Sequence, residues 1–135
     1  MAVLLAAAVL LVGCSRHKTI SRDELRSALT SSISLASEAE TFIEYVTNGK
    51  ATRHYAEGHI GYLADEVGES EEELQGGSPE PGTEGAVQQC RTELNSLHRE
   101  LAGLPGVLGN RNALGAARER IKTIRDSFER LISSL

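Results

Sequence analysis

Four histidines, three tyrosines and two cysteines are the side chains in this sequence from which a site is most readily built. Spacing decides which of them can act together. His54 and His59 are five residues apart, about 140° around a helix, so they do not share a face. Tyr55 and His59 are one turn apart and do share a face, with Tyr62 close by. Phe42 and Tyr45 lie on the other side of Asn48-Gly49, a strong helix stop. If the chain reverses there, Phe42, Tyr45, Tyr55, His59 and Tyr62 gather at one end of the fold. Two readings of such a gathering stand side by side. It is the edge of a packed core whose hydroxyls and imidazole are satisfied locally, or it is a small-ligand pocket with Tyr45, Tyr55, His59 and Tyr62 as its polar contacts.

Catalytic and metal motifs are missing from the sequence. There is no Glu-x-x-His pair of the kind that di-iron bundles carry, no His-Glu-x-x-His and no Cys-x-x-Cys-His. Serines are many, yet no Gly-x-Ser-x-Gly elbow exists, and the glycine-rich stretches lack the strand context and lysine of a phosphate loop. His17 falls in an N-terminal tether and His98 beside a helical stripe. An acid or base role for His59 would need a neighbouring nucleophile or substrate carbonyl, and nothing local supplies one. The sequence therefore predicts neither an enzyme, nor a bound metal, nor a cofactor.

Charge is unevenly distributed, which is more informative than the net value of −5. Residues 65–84 hold eight acidic groups and no basic one, while residues 85–135 hold eight basic and five acidic groups. The chain thus has no general basic surface for nucleic acid. Asp65, Glu66, Glu69, Glu71, Glu72 and Glu73 lack the alternating ligands and central glycine of a calcium loop. A solvated, mobile segment is the expectation, attracted to the basic outer side of the last helix.

The elements that must position these residues are helices. Ser21-Arg22-Asp23-Glu24 reads as a capping box, with Ile20 and Leu25 as a hydrophobic staple. Leu25, Leu29, Ile33, Ala36, Ala39, Ile43 and Val46 then mark one face of a helix of about 26 residues, close to 39 Å long. Thr52 is placed to cap a second helix whose stripe reads Tyr55, His59, Tyr62 or Leu63, Val67 and Leu74, interrupted by Gly58, Gly61 and Gly68. Val87, Cys90, Leu94, Leu97 and Leu101 mark a third helix, and Cys90 among them reads as a buried, inert thiol. Asn110 or Asn112 caps a fourth, striped by Leu114, Ala117, Ile121, Ile124, Phe128, Leu131 and Leu135. The fold class expected is all-α, an up-and-down four-helix bundle over residues 21–135. A flexible acidic crossover containing Gly and Pro is expected at about 68–85.

Before that domain, residues 2–12 form an apolar run of eleven. It is too short to span a bilayer, which takes about 20 residues, and has the length of a signal-peptide core. Leu11-Val12-Gly13-Cys14 resembles the lipobox of bacterial lipoproteins, with apolar Leu11 three places before the cysteine and small Gly13 directly before it. The resemblance covers residues 1–14 alone. It implies a signal peptide at 1–13, cleavage between Gly13 and Cys14, a diacylglycerol thioether on Cys14 and an acylated new amine. Ser15 in the next position resembles the outer-membrane class. No Lys or Arg precedes the apolar run, and the alternative is a hydrophobic helix packed on the domain. With residues 14–20 as lipidated cysteine and tether, the expectation is a noncatalytic, lipid-anchored adaptor of the cell envelope, facing the periplasm from the outer membrane. Membrane lipid and an envelope protein would be its partners. The alternative is a periplasmic small-ligand or metal-binding sensor built on the Tyr/His cluster.

Overall fold

A computed structural model describes residues 18–135. The segment expected to be a signal peptide, with Gly13 and Cys14, lies outside the described residues. In order, the elements are β1 (Lys18–Ile20), α1 (Arg22–Thr47), α2 (Arg53–Gln75), β2 (Gly77–Pro79), α3 (Glu84–Gly103), a 3-10 turn (Leu104–Val107) and α4 (Arg111–Ser133).

Helices α1, α2 and α4 begin where their capping residues place them. The Ser21 hydroxyl accepts from the Glu24 amide at 3.2 Å, and the Glu24 carboxylate accepts from the Ser21 amide at 2.8 Å. The Ser21 amide and hydroxyl both donate to the Glu24 carboxylate, which favours its charged form and holds Glu24 below its ordinary pKa. Thr52 caps α2 through the Tyr55 amide at 3.3 Å, and Asn110 caps α4 through the Ala113 amide at 3.0 Å. Gly49, at φ 70°, turns the chain after α1. The serine-rich α1 accommodates its hydroxyls by turning them back on itself: Thr30, Ser32, Ser34, Ser37, Thr41 and Thr47 each donate to the carbonyl four residues earlier. Local competition for the backbone is thereby converted into bonds the helix tolerates.

Packing gives a four-helix bundle consistent with up-and-down topology, in which α1 packs most extensively on α4 and α2 on α3. Leu25, Leu29, Ala36, Ala39 and Ile43 of α1 are buried against a core that includes Val87, Cys90, Leu94, Leu97 and Leu101 of α3 and Leu114, Ala117, Ile121, Ile124, Phe128 and Leu131 of α4. Of the stripe expected on α2, Leu63, Val67 and Leu74 are buried, and its tyrosines are corrected. Its buried face is Ala56, Ile60, Leu63, Val67 and Leu74, while Tyr55 and Tyr62 remain exposed. Leu63 and the two tyrosines cannot all face inward, and the face that buries only aliphatic groups leaves no phenol to desolvate. Among the described residues no helix is long and apolar enough to cross a membrane.

Two expectations about the connections are also corrected. Residues 68–75, expected to open a flexible crossover, form the last turns of α2. Residues 18–20, expected to belong to the tether, form β1, which pairs in parallel with β2 in the register Lys18 with Gly77, Thr19 with Ser78 and Ile20 with Pro79. Gly77 permits this approach because a Cβ there would lie 2.5 Å from Ile20 Cγ1. The Glu80 amide donates to the Ile20 carbonyl at 2.9 Å, and the Arg22 amide to the Glu80 carboxylate at 2.8 Å. Arg91 of α3 closes the arrangement. Its guanidinium donates to the Leu74 carbonyl at 3.1 Å and the Gly77 carbonyl at 2.9 Å, satisfying groups left over where α2 ends. Its charge also offsets the unfavourable placing of Glu71, Glu72 and Glu73 at a helix C-terminus.

Candidate functional site

Ring chemistry concentrates where α1 and α2 meet near their hairpin. Glu38, Thr41, Phe42 and Tyr45 recur at helical spacing along α1, and Tyr55, His59 and Tyr62 do so along α2. Phe42 is the centre of the group and is only 8 % exposed. Its ring centroid lies 4.3 Å from that of His59, 5.9 Å from Tyr55 in an edge-on arrangement, and 6.2 Å from Tyr45 in a stacked one. Tyr55 and His59 stack at 6.1 Å with their planes 13° apart. These separations fall within the range in which aromatic rings attract through their quadrupoles.

The rings border an open groove of about 450 Å³, lined by Ser37, Glu38, Thr41, Phe42, Tyr45, Tyr55 and His59. Tyr45 is 42 % exposed and Tyr55 55 % exposed, so both present large faces to whatever enters. His59 Nε2 is 3.1 Å from Glu38 Oε1, which orients the imidazole and brings a carboxylate to the rim. Of the four side chains anticipated as ligand contacts, Tyr45, Tyr55 and His59 line the groove together. Tyr62 stands beside it, its ring centroid 6.0 Å from His59, and is 52 % exposed. Ser37, Glu38 and Thr41 join the site without having been anticipated. The signal available for Glu38 was its place one helical turn before Phe42.

Other chemistry-bearing groups are placed elsewhere. His54 is exposed at the start of α2. His98 Nδ1 lies 3.4 Å from Glu71, which also accepts from Asn95 at 3.0 Å. Thus part of the acidic stretch is engaged by α3, and the expected attraction to the basic side of α4 is not found among the described residues. That side instead reaches α1 and α3: Arg118 to Glu44 at 3.2 Å, Arg125 to Glu40 at 2.9 Å and Arg120 to Glu100 at 2.7 Å. These arginines meet carboxylates on the helices that pack beside α4, and the end of α2 is not among those.

The Arg125–Glu40 pair joins α1 to α4 and was not legible in the sequence. Glu40 is buried, and the burial raises its pKa while Arg125 opposes the shift. Cys90 is fully buried, and desolvation pushes its thiol up to about 12, so it carries essentially no thiolate at neutral pH. Among the described residues no group of three His, Cys, Asp or Glu side chains is arranged to hold a metal ion. No family model, curated protein or solved structure matches this chain.

The molecule is therefore a helical bundle with an aromatic and histidine-containing cluster between its first two helices.

Proposed function

We propose that this chain is a noncatalytic ligand-binding protein of the bacterial cell envelope, anchored through an acylated Cys14, with the groove between α1 and α2 as its receptor site. The observation that carries this reading is the convergence of Phe42, Tyr45, Tyr55 and His59 around one open groove with the Glu38 carboxylate at its rim. Exposed rings are expensive in water unless something covers them. Tyrosine gives a ligand a large apolar face at little cost in conformational entropy, together with a polar edge. The groove also has the size of ordinary small-molecule sites, which run from about 300 to 1,000 Å³.

The placing of the anchor favours the same reading. Ser15, Arg16 and His17 alone separate Cys14 from β1, a reach of at most about 14 Å. The end carrying β1 then stands against the lipid. Phe42 lies twenty residues along α1 from Arg22, or about 30 Å, so the groove is held away from the bilayer and open to the periplasm. Among the described residues the metal-binding version of a sensor finds no third donor beside His59 and Glu38. An adaptor for another envelope protein would call for a broad apolar patch, and among the described residues the exposed large hydrophobic ones are Tyr45, Tyr55 and Tyr62, all within this one cluster.

Two measurements test the two halves of the proposal. Cys14→Ser should abolish lipid labelling and release the protein from membranes, and unchanged labelling and fractionation would refute the anchor. For the groove, the full chain in detergent is titrated with small molecules of differing charge while amide shifts are followed by NMR. Saturable shifts confined to residues 37–45 and 55–62 are expected. Hits scattered over the whole surface, or none, would refute the receptor site.

A further inference from the structure

We propose that the groove takes a small, soluble organic cation bearing N-methyl groups, a quaternary ammonium compound. The inference rests on the receptor reading above and specifies its ligand class. Three features of the lining carry it.

Sign of charge comes first. Glu38 is the one carboxylate of the lining, neither Lys nor Arg contributes to it, and the one basic side chain there is His59, which lies 3.1 Å from Glu38. Hydrogen-bonding character points the same way. The Ser37 hydroxyl already donates to the Ile33 carbonyl at 2.8 Å and the Thr41 hydroxyl to the Ser37 carbonyl at 3.0 Å. What these two oxygens still offer is acceptance, which suits a cation and not an anion. The rings complete the case. Tyr45, Tyr55 and His59 each approach Phe42, and a cation over the open tyrosine rings is drawn by their negative quadrupoles.

A primary ammonium would exchange three strong hydrogen bonds with water for Glu38, which His59 already engages, and two hydroxyl oxygens, and would bring no methyl groups to the rings. A trimethylammonium group has no N–H to satisfy, and its methyl groups bury against rings, so the same lining favours it. The source is a free solute and not a lipid headgroup of the anchoring membrane, because the groove lies about 30 Å along α1 from the end that bears β1.

Intrinsic fluorescence reads this site directly. The chain has three tyrosines and no tryptophan, and Tyr45, Tyr55 and Tyr62 all belong to the cluster. The full chain in detergent is titrated separately with choline, its neutral isostere 3,3-dimethylbutan-1-ol, benzoate, and phosphatidylcholine vesicles. Choline is expected to change the emission saturably and to bind about tenfold or more tightly than the neutral alcohol. Glu38→Gln and Tyr45→Phe are the companion variants: the first should weaken choline about fivefold or more, while the second, which keeps the ring, should change its affinity less than about twofold. Equal binding of choline and the alcohol, or binding of the alcohol or benzoate without choline, overturns the cation class and leaves the receptor reading standing. Saturation by vesicles without saturation by choline overturns the free-solute source. Saturation by none of the four overturns both the cation class and the receptor site.

Discussion

The two ends of the α1–α2 pair treat apolar surface in opposite ways. Where the chain enters the bundle, Ile20 is 2 % exposed, covered by a glycine that lets β2 lie against it, and the nearby carbonyls are satisfied by Arg91 and Glu80. At the hairpin, larger and equally burial-prone rings are left open, with Tyr55 55 % exposed. The same two helices run through both regions. What differs is the volume of the side chains at their junction: Gly77 removes a Cβ so that backbone can seal one end, whereas Phe42, Tyr45 and Tyr55 wedge the other open. A bundle of this size has a modest core, and it spends sealing on the end that fixes the chain's path while leaving the opposite one accessible.

The largest effect should come from unsealing the closed end. Ile20→Ala deletes buried methyl groups and leaves a void, so urea unfolding should show a loss of about 2–4 kcal/mol. Binding at the hairpin should survive in the protein that remains folded. Gly77→Ala attacks the same seal from the other strand, since the added Cβ would meet Ile20 at 2.5 Å. A lower midpoint in thermal unfolding, equivalent to about 1–3 kcal/mol, is expected. If both substitutions are neutral, the clip between β1 and β2 contributes nothing, and the contrast between the ends fails.

Between the ends, Glu40 tests how the α1–α4 seam responds to pH. Its raised pKa means that the native state holds this proton more tightly than the unfolded chain does. The associated stabilisation is present below the ordinary carboxylate pKa and is lost as pH rises through the higher native value. Glu40→Gln should therefore gain on the unsubstituted protein as pH is taken from about 4 to about 7, by paired denaturant titrations. A gap that widens in the opposite direction would mean that Arg125 outweighs burial.

The smallest effect is expected near the open end. A Cβ at Gly61 meets nothing within 4 Å, so this glycine weakens α2 without any packing gain. Gly61→Ala should stabilise by about 0.5–1 kcal/mol, read from the thermal midpoint. A loss instead would mean that the hairpin end needs the flexibility.

Much of the secondary structure was legible because its causes are local. Ser21 with Glu24, Thr52 and Asn110 cap amides within three residues of themselves, and the stripes of α1, α3 and α4 repeat at the helical period. Helix α2 was less legible. Tyr55 and Tyr62 fit a helical period as well as Ala56, Ile60 and Leu63 do, and only the neighbours α3 and α1 select which face turns inward. The candidate site was legible in its rings and illegible in its charge. Three tyrosines and a histidine draw attention by type, whereas Glu38 looks like any exposed helical carboxylate until His59 is placed 3.1 Å away.

By itself, the sequence determined the four helices, the caps of α1, α2 and α4 and most of the buried faces, and it located the aromatic residues on either side of one tight turn. Those features follow from the 3.6-residue period and from hydrogen bonds that close within a single turn. Tertiary structure alone decided the parallel pairing of Lys18–Ile20 with Gly77–Pro79, the reach of Arg91 to the end of α2, the Arg125–Glu40 contact and the meeting of Glu38 with His59. Each joins residues far apart in the chain or on separate helices. Such contacts depend on how helices are rotated and spaced against one another, which the burial of the whole core selects at once.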